Sequence, residues 1–422
     1  MPTMDRTGRP TVFYGYWILA ASLVSLFIMS SVGFYSFGIF FKPIQEEFAW
    51  GRGVISVAFL LIYLVQAIVS PFIGRLAERY GPKTVITIGA FVLGSGLFLL
   101  SLTTNILHFY AAYALTGLGN SAIGMITISA LISNWFVRRR GLAIGIASTG
   151  VGLGGLIATP VIGIFLIPTF GWRASYQILA ILTVMLVSIP AQFVIKTHPR
   201  ELGLSPDGIE AFETATDSRN ASGRPDGWTV NAALHTSTFW LIAGAYVLFM
   251  LATTGASQHL INHLTDIGLS VATATTALSI VGLGSTVGKF TFGTVSDVLA
   301  PKYCAAMSFF AGIVSILLII TDPTTPIVLL SSFIMGLSIG GWAPLTSMLI
   351  GSNFGLAHYG STYGVLTLFQ NIGTGVSTTF YGYVYDATDS YRWAYIVALA
   401  SLSVAILLIV TSRRPKRHST DR

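Results

Sequence analysis

Long apolar runs follow one another along this 422-residue chain, separated by short polar stretches. Twelve of these runs approach or exceed the roughly 20 residues that a helix needs to cross a bilayer. The runs lie at 13–36, 53–75, 84–104, 107–134, 141–168, 174–195, 237–264, 271–296, 303–321, 326–350, 360–384 and 392–411. The pattern predicts an all-α integral membrane protein with twelve transmembrane helices.

One long polar stretch divides the twelve runs into six and six. Residues 198–235 hold nine Asp, Glu, Lys or Arg residues and the turn-rich sequence NASGRPDGW. This composition is typical of a solvated linker. We therefore predict an N-terminal six-helix bundle at 1–197, a cytoplasmic linker at 198–235 and a C-terminal six-helix bundle at 236–422.

An internal repeat supports this division. GRLAERYGPK, at 74–83, and GTVSDVLAPK, at 293–302, share a leading Gly, an acid at the fifth place and a closing Pro-Lys. The same offset of 219 residues pairs Gly117 with Gly336, Asn134 with Asn353, Gly141 with Gly360, Gly145 with Gly364, Gly154 with Gly373 and Arg173 with Arg392. One ungapped shift that aligns so many sites indicates two pseudo-symmetric bundles.

Composition and charge agree with a membrane protein. Charged residues make up 9% of the chain, whereas soluble domains carry about 25%. If both termini are cytoplasmic, 18 basic residues fall inside and only four outside, namely Lys42, Arg52, Arg173 and Arg392. The positive-inside rule therefore orients the chain in the cell's inner (plasma) membrane. Topology also explains the net charge of +7 without any nucleic-acid partner.

Lys289 is the only charged residue between Asp266 and Asp297. At 1.5 Å per residue it lies about 12 Å from Asp297, at the predicted cytoplasmic edge. Every Asp and Glu of the sequence is expected in a loop, a terminus or a helix end. An ionisable side chain at mid-depth is costly and is usually functional, so Lys289 is predicted to bind a small carboxylate between the two bundles. The alternative is a structural lysine whose ammonium snorkels to the cytoplasmic surface.

Several stretches of the sequence resemble a known protein family. GRLAERYGPK and its echo are similar to the signature loops of the major facilitator superfamily. YGYWIL, SFGIFFKPIQEEFAWGRGVIS, NWFVRRRGLAIGIASTGVGLGG and GWRASY resemble the monocarboxylate transporter branch and its bacterial oxalate/formate-antiporter relatives. The resemblance implies a secondary transporter of lactate- or pyruvate-like monocarboxylates that works by alternating access, with proton symport.

The chain departs from the family pattern at four positions. The family's eighth helix carries arginine in a G-R-x-x-x-G setting, where GKFTFG places Lys289. Ser285 stands where many animal members have aspartate, and Tyr35 corresponds to their first-helix lysine. Gln370 stands where the oxalate relatives carry a second cation. A single cation favours a monocarboxylate over a dicarboxylate.

Candidate residues follow from predicted depth and from the resemblance. Substrate binding is predicted for Lys289, Tyr35, Asn120, Ser285, Gln370 and Asn371. His259 and Lys289 are the candidates for proton coupling. Conformational gating is predicted for the signature loop and its repeat, at Gly74, Glu78, Arg79, Lys83, Asp297 and Lys302, with Gly74 permitting close helix contact.

Other functions remain open at this point. An oxalate/formate-type organic anion exchanger, a facilitator-fold transporter of another solute and a transporter-like membrane sensor fit the same helices. An enzyme is not predicted, because the sequence contains no nucleophile–base pair, metal cluster or cofactor loop. The predicted partners are a small carboxylate, a proton and the lipid bilayer; the expected state is a monomer without cofactor or metal.

Overall fold

Helices long enough to cross a membrane account for most of the chain. The computed structural model describes residues 3–4, 10–11, 13–137, 139–208, 227–296, 298–321, 324–355 and 358–415. Among these residues, ten helical runs are long and apolar enough to span a bilayer. One of them, Arg140–Phe193, holds the fifth and sixth predicted spans, and the more polar helix Tyr359–Thr388 has the length for the eleventh. The predicted all-α membrane class is confirmed.

The helices of the first half are interrupted by short π-helical turns. The α-helices are α1 Gly15–Ser30, α2 Ser36–Phe48, α3 Arg52–Tyr80, α4 Pro82–Ser101, α5 Ile106–Ala122, α6 Met125–Trp135, α7 Arg140–Leu153, α8 Ile167–Thr183 and α9 Ile189–Phe193. The π-helical segments are Ser31–Tyr35, Gly154–Ala158, Val161–Leu166 and Val184–Ser188. Such π segments inside α-helices are frequent at functional sites.

The second half consists of fewer, longer helices. They are α10 Val230–Leu234, α11 Ser237–Gln258, α12 Leu260–Asp266, α13 Val271–Val295, α14 Pro301–Ile319, α15 Thr325–Phe354, α16 Tyr359–Thr388 and α17 Arg392–Thr411. Two 3₁₀ turns, Pro199–Leu202 and Pro206–Gly208, precede α10, and strands β1 Thr3–Met4 and β2 Pro10–Thr11 pair antiparallel.

The fifth and sixth spans are separated at Gly171. This glycine has φ 75° and ψ 165°, a non-helical conformation inside α8. Positive φ is readily adopted only by glycine, so the chain can turn here without strain. One continuous helical run therefore contains two predicted spans.

Contacts between helices group the described chain into two compact units. Unit 1 contains residues 1–36, 68–154 and 166–222, and unit 2 contains residues 37–67, 155–165 and 223–422. Segments 37–67 and 155–165 belong to the first six helices by sequence but pack with the last six. The predicted repeat and the observed compactness therefore divide the chain differently, and the predicted domain boundaries stay a prediction.

Within unit 2, α13 and α15 pack backbone to backbone. A Cβ on Gly288 would collide with Leu337 O, and one on Gly336 with Val281 O. Small residues allow membrane helices to approach this closely, so that van der Waals contact replaces the hydrophobic drive that lipid lacks. The pairing fixes the rotation of α13 about its own axis.

Reciprocal serine bonds join α14 to α15. Ser308 Oγ donates to Ser338 O at 2.8 Å while Ser338 Oγ donates to Ser308 O at 2.6 Å. Ser315 and Ser331 repeat the arrangement at 2.9 and 2.8 Å. Each hydroxyl is thus satisfied inside the bundle, as burial of a polar group in lipid requires.

The close approach of α13 and α15 predicts the effect of adding one methyl group. Gly288→Ala should destabilise the folded protein by about 1–3 kcal/mol, because the methyl group meets backbone that cannot yield. Gly293→Ala, on the same helix, is the matched control, since a Cβ there meets no described atom within 4 Å. Thermal unfolding in detergent measures both variants; equal stability would contradict the packing account.

Candidate functional site

Lys289 lies in the C-terminal half of α13, on a face formed by small residues. Ser285 is one turn before it and Gly282 is seven residues before it, and these spacings place all three on one side of the helix. Toward the N-terminal end of α13, this side packs on Gly155 and Leu156, whose backbone would collide with a Cβ on Gly282. Lys289 therefore continues the face on which unit 2 is closely packed.

The large apolar side chains of α13 lie on another face. Leu283 and Val287 are each 37% exposed and Phe290 is 57% exposed. Such residues are expected to contact lipid. Lys289 is part-exposed and Ser285 is buried. The Lys289 side chain therefore leaves α13 on the side away from the exposed apolar residues.

The α13–α15 pairing reaches the backbone of Lys289 itself. A Cβ on Gly340 would collide with Ser285 O and would lie 3.0 Å from Lys289 N. The packing therefore holds the backbone of the lysine and of Ser285 in a fixed register. Sites built on rigid helices position charged groups better than loops do.

Gln370 is buried near the middle of α16. Its Nε2 donates to Thr346 Oγ1 on α15 at 3.3 Å. Its Oε1 has no hydrogen-bond partner among the described residues. The neighbouring Asn371 is half-buried. Gln370 therefore has one acceptor that is not used by the described residues, and leaving a buried carbonyl without a hydrogen bond is costly.

Tyr35 and Asn120 both belong to unit 1, and Asn120 packs against the π-helical segment that Tyr35 ends. Tyr35 is 3% exposed and ends the π-helical segment Ser31–Tyr35. The side chain of Asn120, on α5, lies so close to Gly33 that a Cβ there would collide with it. Its Oδ1 has no hydrogen-bond partner in the described part of the chain. The incompletely bonded amide of Asn120 therefore lies against the π-helical segment at Gly33.

The six predicted binding residues divide between the two units. Tyr35 and Asn120 belong to unit 1; Ser285, Lys289, Gln370 and Asn371 belong to unit 2. Ser285 and Lys289 share one helix face, and Gln370 contacts the helix on which their helix packs. Their roles in binding stay predictions.

The two signature-loop lysines occupy equivalent places. Lys83 Nζ donates to Gln192 O at 3.0 Å, at the end of α9. Lys302 Nζ donates to Val410 O at 3.3 Å and to Ser412 O at 3.5 Å, at the end of α17. Each cation thus neutralises the carbonyl end of the last helix of its own half. The repeat read from the sequence is visible in these contacts.

The remaining gating candidates make different contacts, as far as the structure describes them. Glu78 and Arg79 are exposed and line a cavity of about 490 Å³ together with Asn134, Thr197 and His198. A Cβ on Gly74 would come no nearer than 3.8 Å to Ile126, so the close contact expected there is absent among the described residues. Asp297 lies outside the described residues.

His259 lies in the short break between α11 and α12 and is fully buried. Its Nε2 is 3.0 Å from Thr378 O, and its Nδ1 is 2.9 Å from Tyr391 OH. Because a carbonyl oxygen only accepts, Nε2 carries the hydrogen and Nδ1 accepts from the tyrosine. Both ring nitrogens are satisfied in the neutral form.

An ion pair with a buried arginine was not recognised in the sequence. The sequence identifies Arg52 only as a basic residue on the outer side. In the structure Arg52 is 6% exposed and donates two hydrogen bonds to Asp266, with Nη1–Oδ2 and Nη2–Oδ1 distances of 2.6 and 3.0 Å. The partners are 214 residues apart, so no periodicity connects them. The available signal was weaker: Asp266 and Arg52 both flank predicted spans at the same membrane side.

Comparison with known protein families identifies the fold. Residues 23–262 and 245–422 match the model of the Major Facilitator Superfamily. A bacterial homolog of the human lysosomal transporter Spinster, solved in an inward-facing and unoccupied conformation, superposes with a TM-score of 0.69 at 15% identity, covering 95% of this chain and 96% of that one.

Sequence relatives include transporters from animals and bacteria. Monocarboxylate transporter 13 of Rattus norvegicus is 24% identical over 97% of this chain and 91% of its own length. Monocarboxylate transporter 11 of Homo sapiens is also 24% identical, over 94% and 82%. The uncharacterized MFS-type transporter YhjX of Escherichia coli (strain K12) is 24% identical over 85% of each chain. The chain belongs to the Major Facilitator Superfamily and is a multi-pass membrane transporter, not an enzyme.

Proposed function

We propose that this protein moves small monocarboxylates, such as lactate or pyruvate, across the cytoplasmic membrane together with a proton. It works as a monomer with both termini in the cytoplasm, by alternating access. The printed names of its relatives, monocarboxylate transporters 11 and 13, support this substrate class. The fold alone would not, because the same fold carries many solutes.

The position of Lys289 carries the proposal. It is the only charged residue of α13, and six residues, roughly 9 Å of helix, separate it from the end of α13 at Val295. It lies on the face of Ser285 and away from the face of Leu283, Val287 and Phe290. A cation kept at this depth on a closely packed face is suited to binding an anion that leaves water.

Neutral polar groups complete the proposed site. Ser285 supplies a hydroxyl one turn from the ammonium, and Gln370 and Asn371 supply amides on α16. Tyr35 and Asn120 supply a phenol and an amide from the first half. Such groups donate hydrogen bonds to a carboxylate or hydroxyl without adding charge, so one ammonium and one carboxylate give a neutral assembly.

Charge balance also couples the proton to the substrate. A carboxylate bound to protonated Lys289 crosses the membrane as part of a neutral pair. If the lysine releases its proton with the anion on the far side, anion and proton move together. The lysine itself is thus the proposed proton carrier, and His259 is the second candidate.

Removing the ammonium tests the site. Lys289→Gln should lower the initial rate of lactate and pyruvate uptake into proteoliposomes at least about thirtyfold, because losing one partner of a buried charge pair costs 2 kcal/mol or more. The control is Lys196→Gln, a part-exposed lysine on the predicted cytoplasmic side, which should transport normally. Undiminished uptake by Lys289→Gln would refute the assignment.

Uptake of oxalate in preference to lactate by the unaltered protein would refute the substrate class.

Proton coupling is tested separately at His259. His259→Gln keeps one donor and one acceptor for Thr378 and Tyr391 but cannot carry a proton. If Lys289 is the carrier, an inward proton gradient should stimulate lactate uptake by this variant as much as by the unaltered protein. Uptake that no longer responds to the gradient would assign the proton to His259 instead.

A further inference from the structure

We propose that Arg52, Asp266 and Tyr391 form a latch that holds the outer ends of the helices together and must open once in every transport cycle. Arg52 begins α3, Asp266 ends α12, and Tyr391 lies between α16 and α17. The predicted topology places all three on the outer side of the membrane. The inference rests on the proposed alternating access but not on the identity of the cargo.

Three of the described residues contact the Arg52 side chain. Besides the two-pronged pair with Asp266, Nη1 donates to Tyr391 OH at 2.7 Å. The guanidinium lies 3.6 Å above the centre of the Tyr385 ring. Such planar, stacked and bidentate contacts define one position for an arginine. The side chain is therefore held in a specific geometry and not merely attracted to negative charge.

The backbone at the start of α3 is held as well. Asp386 accepts from Arg52 N at 2.8 Å and from Gly53 N at 2.7 Å. A carboxylate at this place satisfies free N–H groups of the helix and neutralises its positive end. Two acids of the second half, Asp266 and Asp386, thus hold the side chain and the backbone of one residue of the first half.

His259 orients the tyrosine of the latch. Since Nδ1 of His259 accepts the Tyr391 hydrogen, the phenol oxygen is left to accept from Arg52. Burial raises the pKa of the Tyr391 phenol above its usual range, although the nearby Arg52 lowers it, so the hydroxyl keeps the hydrogen that it donates. Ser56 Oγ donates to Arg52 O at 2.7 Å and lies 3.2 Å from His259 Nε2. His259 is therefore a positioning residue.

All these contacts are internal to unit 2, yet they join segments from different halves of the sequence. Arg52 lies in segment 37–67, which belongs to the first six helices, and its partners belong to the last six. A carrier that alternates rocks one half against the other. Opening toward the outside must therefore separate these partners.

An ion pair suits a contact that forms and breaks repeatedly. Arg52 is buried while the Asp266 side chain is 24% exposed. The cost of desolvating the arginine offsets much of the attraction, so such a pair adds little net stability. When the latch opens, Arg52 and Asp266 both regain water, and the open state is not penalised by a stranded charge. Removing Asp266 leaves the buried Arg52 cation without its carboxylate in the closed state, and removing Arg52 deletes the contact itself; both changes should favour opening.

Distances between spin labels test the latch without any substrate. Labels at Glu46→Cys and Ala387→Cys, both at exposed positions, are measured by double electron–electron resonance in nanodiscs, with the buried Cys304 replaced by alanine. The latched protein should give mainly the short distance. In Arg52→Gln and in Asp266→Asn, the ratio of long to short distances should rise at least about fivefold.

Two further variants separate a latch from a merely structural contact. Arg173→Gln removes an arginine that donates to Ser101 O and Thr103 O within its own half, and it should leave the distances unchanged. The double variant Arg52→Asp, Asp266→Arg should restore the short distance at least in part. Unchanged distances in both single variants would overturn the latch, even if uptake of monocarboxylates is confirmed.

Should Arg52→Gln fail to fold, Asp266→Asn alone decides, since it keeps the size of the side chain. His259→Gln should keep the short distance because glutamine retains a donor and an acceptor, whereas His259→Leu should lengthen it. Identical distances for these two variants would show that His259 does not position Tyr391.

Discussion

The cost of placing a charge in a membrane governs this structure. The sequence assigns most of its charged residues to loops, termini and helix ends, where water or lipid headgroups can solvate them. Lys289 and Arg52 are handled differently. Arg52 is buried and matched by Asp266. Lys289 lies along a face of small and hydroxylated residues, and we propose that it binds the anionic cargo there.

Close packing makes both arrangements possible. Glycines at the α13–α15 contact fix the rotation of α13 and so decide which side of it carries Lys289. Serine pairs in the second half and a helix-end lysine in each half satisfy further polar groups. The Arg52–Asp266 pair joins segments from both halves of the sequence, and the proposed latch makes it one of the contacts that change during transport.

The sequence predicts the helices well because spanning lipid requires long apolar runs. It also predicts the repeat, and in the structure the repeated lysines, Lys83 and Lys302, make equivalent contacts. It predicts less well where distant residues meet. Arg52 and Asp266 are separated by 214 residues, and the compact units cut across the repeat at residues 37–67 and 155–165. The π-helical segment Ser31–Tyr35, against which Asn120 packs at Gly33, depends on tertiary packing, and the hydrophobic periodicity of the sequence does not predict it. Lys289 was recognisable because its charge conflicts with its surroundings.

The central claim is that the Lys289 ammonium recognises the negative charge of the cargo. Calorimetric titration of the purified protein with lactate and with lactamide, its uncharged analogue, measures this directly. The unaltered protein should bind lactate at least about tenfold more tightly, a difference of 1.4 kcal/mol, and Lys289→Gln should lose that preference. If the variant still prefers lactate by the same factor, the charge is recognised elsewhere and the account is wrong.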